Sequence, residues 1–353
     1  MLKREALPAI RPSAHSVNVM EYTDGRLLVT WFSGSVEGSE DQIGVGCILE
    51  PDEGRWSEPM IMMRSFEYEG ERWVTEQICP IETKAGKTVV YTWASPFSSF
   101  RMRRRGDTCY WIRSIPESCP FRFLWDGRKA RNLECLSGCA GLPKRGVIFQ
   151  GKPMLRDPEA GPAGGWIIPY HTETEELMFH SRFLFVDSDG LDLETTATDL
   201  YQPPGCLEPS LARLDKDRWL CYMRYGKRGE GYIWRSESKD GGRTFTRPTL
   251  TNLRNPHSAV DIAFDAKGGC LLIAYNDSHS LRTPLTIGIS DDEGRTFRTQ
   301  DVETEAGEYS YPKLYQTRDG LWHLFYTHNR THIEHVLFDV EWLLEGRKVI
   351  GLR

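Results

Sequence analysis

One short phrase recurs six times along the chain: a turn residue, then an apolar run that ends in a polar or aromatic side chain. The copies are Gly25-Arg-Leu-Leu-Val-Thr-Trp31, Gly86-Lys-Thr-Val-Val-Tyr-Thr-Trp93, Gly165-Trp-Ile-Ile-Pro-Tyr-His171, Asp217-Arg-Trp-Leu-Cys-Tyr-Met-Arg224, Gly269-Cys-Leu-Leu-Ile-Ala-Tyr-Asn276 and Gly320-Leu-Trp-His-Leu-Phe-Tyr-Thr-His328. Their first residues stand 61, 79, 52, 52 and 51 positions apart. A period of that size belongs to architectures built by repeating one supersecondary unit.

A second apolar segment precedes each turn, as in Ser16-Val-Asn-Val-Met20, Leu211-Ala-Arg-Leu214 or Ala259-Val-Asp-Ile-Ala-Phe264. Two β-rich runs around a Gly or Asp turn read as a hairpin, and further strands such as Leu285-Thr-Ile-Gly-Ile289 follow before the next unit. About four short strands per unit of roughly fifty residues, with almost no helical periodicity, predict an all-β chain closed as a six-bladed β-propeller. The predicted blades run roughly over 12–60, 72–127, 145–195, 205–250, 255–300 and 308–345, with an insertion at 94–164. Propellers grow by adding blades around one axis, so the 353 residues are expected to form one domain.

The formal charge of −6 argues against a nucleic-acid partner bound by phosphate neutralisation. Met1-Leu-Lys-Arg-Glu-Ala-Leu-Pro8 is too charged for a signal peptide, and no apolar run is long enough to span a bilayer, so no membrane association is expected. The nine cysteines are odd in number and several sit inside apolar strand patterns, which predicts reduced thiols in a cytoplasmic protein. Cys135 and Cys139 lack a second pair at zinc spacing, and no calcium-loop spacing occurs; neither metal nor cofactor is expected.

In a four-stranded blade the starts of the inner strands and the ends of the second strands share one face. Collected around the ring, those positions give His15, Glu37, Asp41, Gln77, Trp93, Lys152, His171, Glu208, Arg224, Asn255, His257, Asn276, Arg282, Tyr309, His328 and Arg330. A convergence of His, Arg, carboxylate and Tyr on a central depression is the expected form of a binding or catalytic site.

Ser238-Lys-Asp240-Gly-Gly242-Arg-Thr244-Phe245 and Ser290-Asp-Asp292-Glu-Gly294-Arg-Thr296-Phe297 lie one blade period apart. Both resemble the Asp-box, Ser-x-Asp-x-Gly-x-Thr-Trp/Phe, of sialidase-like propellers, and the chain is similar over nearly its whole length to the predicted neuraminidase or BNR-repeat group. That resemblance carries residue roles. Glu208, sixteen residues before Arg224, matches a Glu that precedes a carboxylate-holding Arg, and Arg282 before its Asp-box matches another arm of the clamp. Glu308-Tyr309-Ser310 matches the place of the tyrosine nucleophile, with Glu208 as its base, and Asp41 matches the acid/base. A tyrosine nucleophile avoids setting a carboxylate against an acidic substrate, and forked arginines suit a carboxylate group.

The chain departs from the pattern at its opening inner strand, Ala14-His15-Ser16-Val17, where sialidases carry the first clamp arginine. Loss of one charge-assisted contact of roughly 1.5–3 kcal/mol weakens binding by about one to two powers of ten. The predicted substrate is therefore an acidic sugar other than ordinary sialic acid, with Arg330 as a third arm.

The expectation is a hydrolase that removes a terminal acidic sugar from a small oligosaccharide. Tyr309, Glu208, Asp41 and His171 are the catalytic candidates; Arg224, Arg282, Arg330, His15, Glu37, Lys152, Asn255 and His257 are the substrate-binding ones. Two alternatives stay open: a lyase acting by β-elimination at a uronic acid through His and Tyr, and a non-catalytic glycan-binding propeller. The insertion, with its basic run Arg101-Met-Arg-Arg-Arg105, is long enough to fold over the pocket or to join two copies as a homo-oligomer.

Overall fold

The computed structural model describes residues 3–51, 54–105, 108–196, 198–344 and 348–351, with 103–105, 108–112, 348, 349 and 351 described by backbone alone. Six antiparallel sheets surround one axis. Blade 1 comprises Ser13–Glu21, Leu27–Gly34, Ile43–Leu49 and Met60–Arg64 from inside to outside. Blade 2 comprises Glu71–Glu82, Thr88–Pro96, Cys119–Trp125 and Ala130–Cys135, with Phe66–Tyr68 added at its inner edge. In blade 3, Val147–Phe149 and Met154–Leu155 together form the inner strand against Trp166–Glu173, followed by Phe179–Val186 and Leu193–Thr195.

Blade 4 is Cys206–Arg213, Trp219–Tyr225, Gly231–Ser238 and Thr249–Asn255. Blade 5 is Asp261–Asp265, Cys270–Asn276, Leu285–Ser290 and Thr296–Glu303. The C-terminal Lys348–Gly351 extends it as a fifth, outermost strand. Blade 6 is Tyr309–Gln316, Trp322–His328 and His332–Phe338. Its outer strand comes from the other end of the chain: Lys3–Ala6 pairs antiparallel with Leu337 to Glu334, and Arg4 pairs with Glu334 and Glu303. The ring closes through contact of the blade 6 and blade 1 inner strands.

Each recurring phrase is the second strand of its blade. That strand is covered on both faces by neighbouring blades, so it reads as a continuous apolar run instead of an alternation. Trp31, Tyr91, Tyr170, Trp219, Tyr222, Tyr275, Trp322 and Tyr326 on these strands are all below 2% exposed.

Both Asp-boxes form the same staple between third and fourth strands. In blade 4, Ser238 Oγ donates to Asp240 at 2.8 Å and accepts from the Gly242 N–H at 2.9 Å, while the Thr244 N–H reaches Asp240 at 2.9 Å. Ser290, Asp292, Gly294 and Thr296 repeat this at 2.7, 2.8 and 2.8 Å in blade 5. Gly294 sits at φ +82°, and a Cβ there would stand 2.4 Å from the Tyr222 hydroxyl, so the position accepts only glycine. The blade 4 box also touches the first hairpin turn, Gly241 N–H to Asp217 C=O at 3.0 Å, so both turns lie on one face and the pocket candidates on the other.

Much of the expected insertion at 94–164 is instead blade. Its residues supply the outer strands of blade 2 and the inner strand of blade 3. What is inserted is the stretch between the second and third strands of blade 2, containing the hairpin Phe100–Arg105 with Thr108–Arg113. The basic run lies on this hairpin; the side chains of residues 103–105 lie outside the described residues, as does that of Cys109. No helix among the described residues is long and apolar enough to cross a membrane.

Candidate active site

The inner strands reach the axis through a shared irregularity. Pairing skips residues between His15 and Asn18, Thr75 and Ile78, Leu207 and Ser210, and Ser310 and Lys313. Such a bulge re-aims a side chain out of the alternation of its strand. Ser16, Glu208 and Tyr311 occupy these bulges with φ of 63°, 51° and 55°. Left-handed backbone at non-glycine residues costs of order 1–3 kcal/mol and persists where the surrounding structure holds it, typically at functional sites.

Glu208 and Tyr311 thereby face each other from blades 4 and 6. The Tyr311 hydroxyl donates to Glu208 Oε1 at 3.2 Å, and Arg224 Nη1 donates to the same carboxylate oxygen at 2.6 Å and to the Tyr311 oxygen at 3.1 Å. The guanidinium of Arg282 lies 5.4 Å over the Tyr311 ring, and His15 meets that ring edge-on at 4.5 Å. Burial raises the Tyr311 pKa, and Glu208 raises it further, against the pull of Arg224 and Arg282, so the resting phenol keeps its proton. Burial would raise Glu208 as well, but Arg224, His171 and His257 together outweigh it and hold the carboxyl below its usual value. Glu208 Oε2 and Arg224 Nε are buried and have no hydrogen-bond partner among the described residues.

The remaining arginines converge nearby. Glu308 Oε1 accepts from Arg282 Nη1 at 2.7 Å and Arg330 Nε at 2.8 Å, and Arg330 also pairs with Glu37 from blade 1. Arg224, Arg282, Arg330, Glu37 and Glu208 are thus drawn into one connected group, which adds Glu308. His15 is 1% exposed and its Nδ1 lies 3.0 Å from Thr327 Oγ1. Burial first, and then Arg330, Arg282 and Arg224, push its pKa well below the usual value, so it is a neutral wall of the site. His257 lies beside Tyr225 C=O, 2.8 Å from Nδ1, with its pKa lowered to about 3 by burial and by Arg224.

Other candidates fall elsewhere. Tyr309 does not meet Glu208: its ring packs against Tyr326 and His328, and its main chain bonds Arg282 C=O at 2.9 Å and Asn276 Nδ2 at 2.8 Å. The bulge between Ser310 and Lys313 is the reason, because it turns Tyr311 to the axis. The repeats carry the signal, since Glu208-Pro-Ser and Tyr311-Pro-Lys align on their prolines. Lys152 is buried, its Nζ bound to Asp261 at 2.7 Å and to Leu314 C=O at 2.5 Å. Asp261 also accepts from Ser210 Oγ at 2.7 Å and the Leu314 N–H at 2.8 Å, so this ion pair ties blades 3, 4, 5 and 6 together. Asn255 is fully buried, stapling the turn to Ser258 C=O at 2.8 Å.

Asp41 stands on the rim, where its carboxylate accepts from Ser39 at 2.5 Å, Ser35 at 2.8 Å and Arg11 at 2.5 Å. Partial burial would raise its pKa, but these bonds outweigh that and lower it. His171, on the second strand of blade 3, has Nε2 3.6 Å from Glu173. Among the described residues no group of three His, Cys, Asp or Glu side chains could hold a metal ion.

A six-bladed propeller with Asp-box staples defines a sialidase-like fold. The chain belongs to the BNR repeat-like domain family, which matches it over residues 25–324. In structure it is similar to the NanB sialidase of Streptococcus pneumoniae, with a TM-score of 0.74 at 10% identity, covering 97% of this chain and 70% of that one. The Hadza microbial sialidase Hz136 gives a TM-score of 0.73 at 16% identity, with 94% of this chain covered. The leech intramolecular trans-sialidase gives 0.73 at 11%, covering 97% of this chain and 71% of that one. This chain spans 66% of the length of Hz136. No curated protein matches the sequence.

Proposed function

We propose that the protein is a glycoside hydrolase that removes a terminal acidic sugar, with Tyr311 as nucleophile and Glu208 as its base. The observation that carries this reading is the contact of the Tyr311 hydroxyl with Glu208 under the guanidinium of Arg224. As the phenol attacks the anomeric carbon its proton passes to Glu208, while Arg224 stabilises the developing phenolate. Arg282 and Arg330 receive the sugar carboxylate, exchanging part of their bonding to Glu308 for it. Arg330 takes over as third arm in place of the neutral His15. Asp41, half-exposed on the rim, protonates the leaving oxygen: a sugar seated above it removes water and raises its pKa towards that of a donor.

The lyase reading draws less support. A histidine that removes a C5 proton needs a pKa near the working pH, which disfavours two of the site's histidines: His257 is held at about 3 and His15 well below its usual value. The test is to incubate the protein with sialosides and with uronic-acid-capped oligosaccharides, following released sugar and absorbance from a C4–C5 double bond. Release without absorbance supports the hydrolase, and absorbance replaces it with the lyase.

A further inference from the structure

The side of the depression opposite the arginine clamp has chemistry of its own. In a six-blade ring, blade 2 faces blade 5 and blade 3 faces blade 6, so Arg282 and Arg330 look across at blades 2 and 3. There Arg113, at the foot of the inserted hairpin, lies 4.8 Å over the Trp93 ring and pairs with Glu173 at 2.5 Å. Glu76 occupies the blade 2 bulge at the position equivalent to Glu208 and Tyr311, 5% exposed and 3.1 Å from Gln42 Nε2. Its pKa is pushed up to about 7, by burial first, so both the protonated and the ionised form are populated near neutral pH. His171 Nδ1 and Trp93 Nε1 are buried and have no hydrogen-bond partner among the described residues. Burial would lower the Arg113 pKa, but Glu173 first, then Glu76 and Tyr311, raise it.

We infer that blades 2 and 3 form a subsite that reads hydroxyl groups of the bound sugar and rejects an acylamino substituent there. The inference rests on the proposed seating of the sugar carboxylate at the arginine clamp. Arg113 and Trp93 supply donors, Glu173 supplies an acceptor, and Glu76 supplies either, a set that matches neighbouring hydroxyls as both donors and acceptors. One face of the Trp93 ring is already covered by Arg113 and closed to a methyl group. An acyl methyl pressed onto Arg113, Glu173 and Glu76 would face polar groups and return no hydrogen bond to them. The substrate is accordingly an acidic sugar bearing hydroxyls only.

The test uses the full chain carrying Tyr311→Phe, so that binding is read without turnover. Calorimetric titration compares the 5-hydroxy and 5-acetamido forms of the same nonulosonic acid. The hydroxy form is expected to bind at least about tenfold tighter, and Arg113→Met, or Glu173→Gln if that variant fails to fold, to remove most of the preference. Equal or tighter binding of the acetamido form overturns the subsite and leaves the carboxylate clamp standing. Binding of neither form overturns the clamp, and the subsite with it.

Discussion

Tyr311 and Glu208 lie 103 residues apart in sequence and meet at 3.2 Å because two inner strands carry the same bulge. Neither side chain would reach the axis from a regular strand, since a regular inner strand sends alternate residues between blades. The left-handed backbone at both residues is the local cost of aiming them inward.

Asp41 is the assigned proton donor, so its loss should matter most when the leaving group is poor. Asp41→Asn is expected to lower kcat by about 10²–10⁴-fold on a natural oligosaccharide and far less on an aryl glycoside with an acidic leaving phenol. Equal losses on both substrates would remove the acid assignment.

The Lys152–Asp261 pair should govern stability, not substrate affinity. Removing one partner leaves a buried charge uncompensated, so Lys152→Met is expected to destabilise the fold by about 3–5 kcal/mol in urea unfolding. KM of whatever protein remains folded should stay unchanged.

Acid should weaken the propeller at the closure of the ring. His323 and His335 stack in blade 6 with Nδ1 and Nε2 3.0 Å apart, and His335 lies 3.3 Å from Glu5 of the N-terminal strand. Burial lowers their pKa values to about 3 and about 4. Below the unfolded value of about 6.5 the unfolded chain binds protons that the folded one does not, so stability falls as pH drops from 6.5 towards 4. Each group contributes up to about 1.4 kcal/mol per pH unit in that window. Glu76, with its raised pKa, acts with the opposite sign, losing stability as pH rises from about 4.5 to about 7. Replacing His323 and His335 together by Gln and Phe should flatten the acid limb of the unfolding midpoint.

The fold was legible because the second strand of every blade is buried on both faces and so writes an unbroken apolar run behind a turn, as in Leu271 to Tyr275. The clamp was legible in part, because Glu208 and Arg224 sit on strands paired at Leu207 and Arg224. Tyr311 was not, because Tyr309 was inferred from its place at the start of the inner strand, and the bulge just beyond it turns Tyr311 to the axis instead. Nor was Lys152, whose position at an inner-strand start is shared by pocket residues, while its length carries the ammonium down to Asp261. The pairing of Lys3–Ala6 with blade 6 joins the two ends of the chain, and no local pattern announces it.

The assignment of the nucleophile is tested most directly by kcat on an acidic-sugar aryl glycoside for Tyr311→Phe and Tyr309→Phe side by side. Loss of more than about a thousandfold in the first, with the second close to the parent protein, is the predicted result. Retained turnover in Tyr311→Phe, or loss confined to Tyr309→Phe, would contradict it.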